Sequence, residues 1–239
     1  MTTRRGLFVA PFDVLADPRV VGDLAASAEA AGWDGFFLWD HLQYGERVTE
    51  IADPWTCCAA VAMRTERLLF GPMVTPLPRR RPQVLARQAA SLAVLSGGRF
   101  VLGLGLGDDW VGEFGAFGDE PDPKVRGRML DEGLDVLTAL LAGEVVDHAG
   151  DHYAARDVRF LPAPDVPIWL AGRLATGRRC AAPRGTTASS SSASTGPPTS
   201  TRWVGSSPST GPPRASRWWS TCSPSRTSPR GSTAVPRGC

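Results

Sequence analysis

Asp40 and His41 stand together at the end of Gly35-Phe36-Phe37-Leu38-Trp39, an apolar run that closes on a carboxylate and an imidazole. An imidazole near its ordinary pKa can take or give a proton, and a neighbouring acid biases its charge, so this pair can do general acid–base work. The plainer reading is a solvated pair that caps the next segment. Gly103-Leu104-Gly105-Leu106-Gly107-Asp108-Asp109 is the second candidate. Its glycines lack the spacing of the dinucleotide fingerprint, which has two residues before the third glycine. Glycines at a strand end instead let a flat ligand approach the backbone, with Asp108 facing it; the competing reading is a tight turn with solvated acids. Gly71-Pro72-Met73-Val74-Thr75-Pro76 puts proline inside a strand, the mark of a bulge or irregular strand end. Arg79-Arg80-Arg81 can reach a phosphate or a substrate carboxylate, although three arginines ahead of a helix more often form a solvated face. His148 and His152 have a spacing that binds metal only on a helix, and Gly150 between them argues against one, so no metal is expected.

The elements that must carry these residues alternate. Leu7-Phe8-Val9-Ala10 reads as a first strand, and Asp17-Pro18 as an N-cap with proline at the first helical position. Val21, Leu24, Ala25 and Ala28 then recur at helical spacing. Gly35–Asp40 is the second strand, too short for a helix and apolar on both faces, as in parallel sheets. Asp53-Pro54 opens a second helix that runs to about Met63, and Leu68–Val74 is the third strand. Pro82 starts a third helix with Leu85, Gln88, Leu92 and Leu95 on one side. Phe100–Gly105 is the fourth strand. A fourth helix, from about Arg126 to Leu141, carries Leu130, Leu134, Leu137 and Leu141. A polar connection, Val145 to Pro167, leads to a fifth strand, Ile168–Ala171.

Alternation with buried strands predicts an α/β fold with a parallel sheet and right-handed crossovers. The polar residues gather after several strands rather than at one switch point, which favours the (β/α)8 TIM barrel over a doubly wound sheet. The expectation is an incomplete barrel of about five β-α units over residues 1–173, followed by a disordered basic tail over 174–239.

Charge divides the chain in the same way. The formal net charge is +2, yet residues 1–173 hold all 24 acidic residues and 17 of the 26 basic ones, which leaves them at −7. No apolar run approaches a membrane span, and Met1-Thr2-Thr3-Arg4-Arg5 leads into few apolar residues, so a cytoplasmic protein without a membrane partner is expected. Cys57 and Cys58 are adjacent in a predicted helix, while Cys180, Cys222 and Cys239 lie in the tail. Neither group suggests a disulfide framework.

Three stretches together carry a family likeness. Trp39-Asp40-His41, Gly71–Pro76, and Leu92 to Asp108 with its Ser96-Gly97-Gly98-Arg99 linker resemble the bacterial luciferase-like flavin-dependent oxidoreductases. That superfamily includes FMN monooxygenases and enzymes that use the deazaflavin coenzyme F-420 (F420). The resemblance covers residues 7–173, and the connection before Ile168 is similar to an insertion in these barrels. It implies a barrel that binds FMN or F420 in reduced form at the strand ends, a small-molecule substrate, and homodimers among full-length relatives. Hydride or oxygen transfer would occur on the cofactor, which the protein orients. The resemblance implies that His41 meets the reacting ring or an intermediate, and that Asp108 takes the place of a glutamate used in proton transfer. Asp40, Thr75, Gly105 and Gly107 are expected around the cofactor. Pro72-Met73 falls where some relatives have a cis peptide that buttresses the ring, and Ala171-Gly172 would approach the cofactor through backbone. Phe12, Trp39 and Trp110 are candidates for an apolar substrate wall.

From Leu174 onward the chain has no Asp, Glu, Lys, Ile, Phe, Tyr, His, Asn, Gln or Met, and Ser, Pro, Arg, Thr, Gly and Ala dominate. Such a stretch has no apolar periodicity with which to bury a core, so disorder is expected. These amino acids are also what GC-rich codons give out of frame. A shifted reading of Leu174 to Thr195, with codons chosen for the pattern, yields a proline-started helix and a strand entry that echoes Trp33–Leu38. The expectation is a frameshift, and a chain nearly inactive as written. The alternative is a non-catalytic partial barrel whose Arg-rich tail binds nucleic acid.

Overall fold

Three helices open on an aspartate followed by a proline, and in each the aspartate is the N-cap. The computed structural model describes residues 4–45, 47–171, 202–203 and 216–219. Asp17 accepts from the Arg19 amide ahead of α1 (Pro18–Ala30), and Asp53 from the Thr56 amide ahead of α2 (Pro54–Arg64). Helix α3 (Pro82–Leu95) also starts on proline, and α4 (Pro123–Leu141) is capped by Asp122 through the Lys124 amide. Each cap satisfies an amide that the first helical turn leaves open, while proline occupies a position that needs no donor. Helix α4 therefore begins before the expected Arg126, because Asp122-Pro123 is a third copy of the starting signal.

The barrel strands are β1 (Arg4–Val9), β2 (Gly35–Leu38), β3 (Leu69–Pro72), β4 (Thr75–Pro76) and β5 (Leu102–Gly105). A hairpin follows, β6 (Val146–Ala149) and β7 (Ala154–Val158), and then β8 (Ile168–Ala171). The expected third strand, Leu68–Val74, shortens to β3, which pairs in parallel with β2, and a separate short strand beyond it, β4, pairs with β5. Strand β2 pairs with β1 and strand β5 with β8, again in parallel. A parallel bridge between Phe70 and Phe100 joins β3 to the entry of β5. Parallel neighbours thus follow chain order, as in a (β/α)8 barrel, whereas a doubly wound sheet reverses at a switch point.

Alternation along β2 separates two cores. Phe36 and Leu38 pack with Val21, Val61, Leu85 and Leu137 beneath the helices. Phe37 points the other way and joins Met73 just past β3, Val101 at the entry of β5, and Trp169 of β8. Successive side chains on a strand face opposite sides, and an inner cluster built from several strands is how a barrel fills its interior. Burial of a side chain such as Phe37, Met73 or Val101 contributes about 1.5–3 kcal/mol.

The polar connection after α4 is the β6–β7 hairpin. Glu132 of α4 holds it by accepting from the His152 and Tyr153 amides at 3.0 and 2.8 Å, and lies 3.1 Å from His148 Nε2. His148 and His152 thus serve to anchor this insertion.

Two stretches of the tail are strands. β9 (Arg202–Trp203) pairs antiparallel with the outer edge of β1, and β10 (Ser216–Trp219) pairs in parallel with β8. Both edges would otherwise present open backbone, and main-chain pairing is tolerant of sequence. The expected disorder of 174–239 otherwise concerns residues outside those described, as do Gly172, Cys180, Cys222 and Cys239. Among the described residues no helix is long and apolar enough to cross a membrane.

Candidate active site

The carboxyl ends of β2, β4 and β5 converge on one buried charge cluster. Asp40, two residues past β2, has a side chain only 1% exposed. Its Oδ1 accepts from Arg79 Nη2 at 2.8 Å, and its Oδ2 from Arg80 Nη2 at 3.0 Å and Thr75 Oγ1 at 2.7 Å. Trp55 Nε1 donates to both Asp40 Oδ2 and Thr75 Oγ1 at 3.2 Å. Asp40 and Thr75 are therefore brought together, but their polar atoms face one another within the protein.

Arg79 continues from Asp40 to a second carboxylate. Its Nη1 donates to Glu113 Oε1 at 3.0 Å, and its Nη2 also reaches the Asp40 carbonyl at 3.2 Å. Glu113 Oε1 accepts from the Leu42 amide at 2.6 Å, and Oε2 lies 2.7 Å from His41 Nδ1. Burial pushes the Glu113 carboxyl up, but the His41 hydrogen bond, the Leu42 amide and the charges of His41 and Arg79 outweigh it and hold it below its ordinary value. Arg79 and Arg80, read from sequence as a ligand-reaching or solvated pair, instead balance two internal carboxylates.

His41 is the point at which this cluster meets an open surface. Its Nε2 has no hydrogen-bond partner among the described residues, and its side chain is 23% exposed. Around it stands an aromatic wall. Tyr44 lies 5.1 Å from both His41 and Phe12 between ring centroids, and 5.2 Å from Trp110. Trp39 packs 5.6 Å from His41, and Trp110 is 60% exposed. The loop that carries Tyr44 is pinned by Asp13, whose Oδ1 accepts from the Thr49 and Glu50 amides.

The other expected site residues lie nearby with different surroundings. Asp108 is exposed, and its Oδ1 accepts from the Asp109 amide at 2.8 Å. A Cβ on Gly105 would stand 2.5 Å from Val74 Cγ2, and one on Gly107 2.7 Å from the Phe114 ring, so protein already fills the space these glycines leave. Pro72 and Met73 are buried, with Met73 in the inner cluster. The cis peptide lies one bond later than expected, between Met73 and Val74. Ala171 ends β8 beside Gly105, and Gly172 lies outside the described residues.

Glu113 is the residue that sequence reasoning missed. It sits in an irregular segment between β5 and α4, 72 positions from His41, where no periodicity marks it. The one available signal was Glu113 directly before Phe114, an aromatic in a polar loop that proves wholly buried.

Comparison with known proteins agrees with this geometry. The family described as Luciferase-like monooxygenase matches residues 5–204. The F420-dependent glucose-6-phosphate dehydrogenase of Beutenbergia cavernae is 36% identical over 192 residues, which cover 74% of this chain and 54% of that protein. Its counterpart from Microbacterium testaceum is 35% identical over 176 residues, covering 67% and 52%. Among solved structures, an F420-dependent secondary alcohol dehydrogenase in complex with an F420-acetone adduct superposes with a TM-score of 0.65. It is 24% identical and covers 72% of this chain and 53% of that one. The chain spans about half the length of the curated relatives it matches. With the family pattern running through most of its length and the parallel strands in barrel order, the chain belongs to the luciferase-like monooxygenase family.

Proposed function

We propose that this chain is a deazaflavin-dependent oxidoreductase, with F420 favoured over FMN and a small hydroxylated molecule as substrate. The observation that carries this reading is His41, held at Nδ1 by buried Glu113 and open at Nε2 beside an aromatic wall at the strand ends. The relatives named above supply the choice of F420. The residues present suit such a group: a planar ring system can lie against Tyr44, Trp39 and Trp110, and the open imidazole nitrogen offers it or its substrate one polar contact.

When bound, a deazaflavin accepts or donates a hydride. Removal of a hydride from a hydroxyl-bearing carbon leaves a proton on oxygen, and His41 Nε2 is the group to take it. Glu113 then faces the imidazolium at Nδ1 and stabilises its charge. Phe12, Tyr44 and Trp110 keep water from the reacting side. No observation favours the nucleic-acid alternative, since the Arg-rich stretch lies almost wholly outside the described residues.

Equilibrium titration of the purified chain with F420 and, separately, with FMN tests the proposal by cofactor fluorescence. Saturable binding of F420, weakened when Trp110 is replaced by Ala, is expected. Binding of FMN alone, or of neither, overturns it.

A further inference from the structure

His41 can act as a base at Nε2 only if its single proton sits on Nδ1, so something must choose the tautomer. Glu113 Oε2 at 2.7 Å makes that choice when it is ionised, because a carboxylate accepts and cannot donate. Glu113 is itself only 2% exposed. A lone carboxyl so placed would tend to hold its own proton, and a protonated Glu113 could donate to Nδ1 and force the proton to Nε2.

Arg79 opposes that outcome. Its guanidinium is permanently charged, its side chain is 4% exposed, and its two terminal nitrogens bridge Glu113 at 3.0 Å and Asp40 at 2.8 Å. Arg80 offsets the remaining charge of Asp40 at 3.0 Å. Two guanidiniums thus face two carboxylates across the cluster. Tyr44 is the other titratable group in ring contact with His41.

We propose that Arg79 is a positioning residue: by bridging Asp40 and Glu113 it keeps Glu113 an acceptor and locks His41 with Nδ1 protonated and Nε2 open. What Nε2 then does rests on the function proposed above, whereas the tautomer belongs to the chain alone.

Two-bond proton–nitrogen NMR of histidine-labelled protein without cofactor reads the tautomer directly, with His41 assigned by the signal lost in His41→Asn. The wild-type chain should show Nδ1 protonated at neutral pH. Arg79→Met should lose that pattern while its far-ultraviolet dichroism persists, and Arg79→Lys, which keeps the charge, should restore it in part. An unchanged pattern in Arg79→Met overturns the proposal. If Arg79→Met does not fold, two measurements still decide: a wild-type His41 protonated at Nε2, or a Glu113→Gln variant that keeps the Nδ1 pattern, overturns it. Failure of F420 to bind while the tautomer shifts as expected would remove the cofactor reading and leave this one standing.

Discussion

Arg79 Nη1 meets Glu113 Oε1 at 3.0 Å across 34 positions of sequence, and the same guanidinium meets Asp40 at 2.8 Å. Three irregular segments are thereby tied together: the exit of β2, the turn after β4 and the loop after β5. Only Arg79 belongs to a regular element, the single 3-10 turn Leu77–Arg79, so the ion cluster is much of the local fold as well as the site.

Loss of this guanidinium should therefore be costly. Arg79→Met leaves two buried carboxylates without their shared partner, and removal of one member of a buried ion pair costs about 3–5 kcal/mol. Denaturant titration of wild type and variant measures it. A loss below about 1 kcal/mol, the scale of an exposed pair, would show the cluster to be solvated.

Acid should weaken the same cluster. The folded-state pKa of Glu113 lies below its ordinary value of 4.5, so its contribution is fully present above that value and is lost as pH falls through the lower folded one. Thermal unfolding across the acid range should show this limb in wild type and a shallower one in Glu113→Gln. Equal slopes would mean that Glu113 titrates normally.

Most of the fold was legible in sequence, because its signals are local. Asp-Pro caps, apolar stripes such as Val21, Ala25 and Ala28, and the buried run Phe36–Leu38 each fit within a few residues. The separate strand β4 was not, because it leaves β2's sheet to pair with β5, a choice made by tertiary neighbours. The site was half legible. Asp40 and His41 carry a strand-end position that marks them, but Glu113 acquires meaning only from distance in space. The arginine run read most simply as a solvated face that could reach an anion, and Arg79 and Arg80 instead meet the protein's own carboxylates.

Cys57 and Cys58 should be chemically silent in the native chain. Burial, then the charges of Asp53 and Asp17, push the Cys57 thiol up to about 12, and burial pushes Cys58 well above its ordinary 9.0. Since the thiolate is the nucleophile, a disulfide reagent at neutral pH should label these two positions only after unfolding. Mass spectrometry of native and denatured samples locates the label, and rapid native modification at Cys57 would contradict the packing of α2 against the sheet.

The composition break at Leu174 makes a prediction at the level of the gene. Resequencing the codons for Gly172 to Arg179 should reveal a single-base shift that restores the β-α pattern in another frame. An intact frame would instead make the Arg/Ser/Pro tail genuine, and its removal should then abolish any salt-sensitive nucleic-acid binding.

Asp108 and Glu113 both follow β5, and they offer opposed expectations for one chemistry. Asp108 is exposed and its Oδ1 is engaged by the neighbouring amide, so loss of its charge leaves the His41 hydrogen bond intact. Glu113 touches His41 at 2.7 Å, so Glu113→Gln removes the charge that stabilises a protonated imidazole. In F420-linked oxidation followed at the deazaflavin absorbance, Glu113→Gln should lower kcat by roughly 10²-fold, the usual scale for impaired acid–base assistance. Asp108→Asn should stay within about threefold of wild type, below that scale. The reverse order would assign proton transfer to Asp108 and reduce Glu113 to a structural anchor for the Leu42 amide.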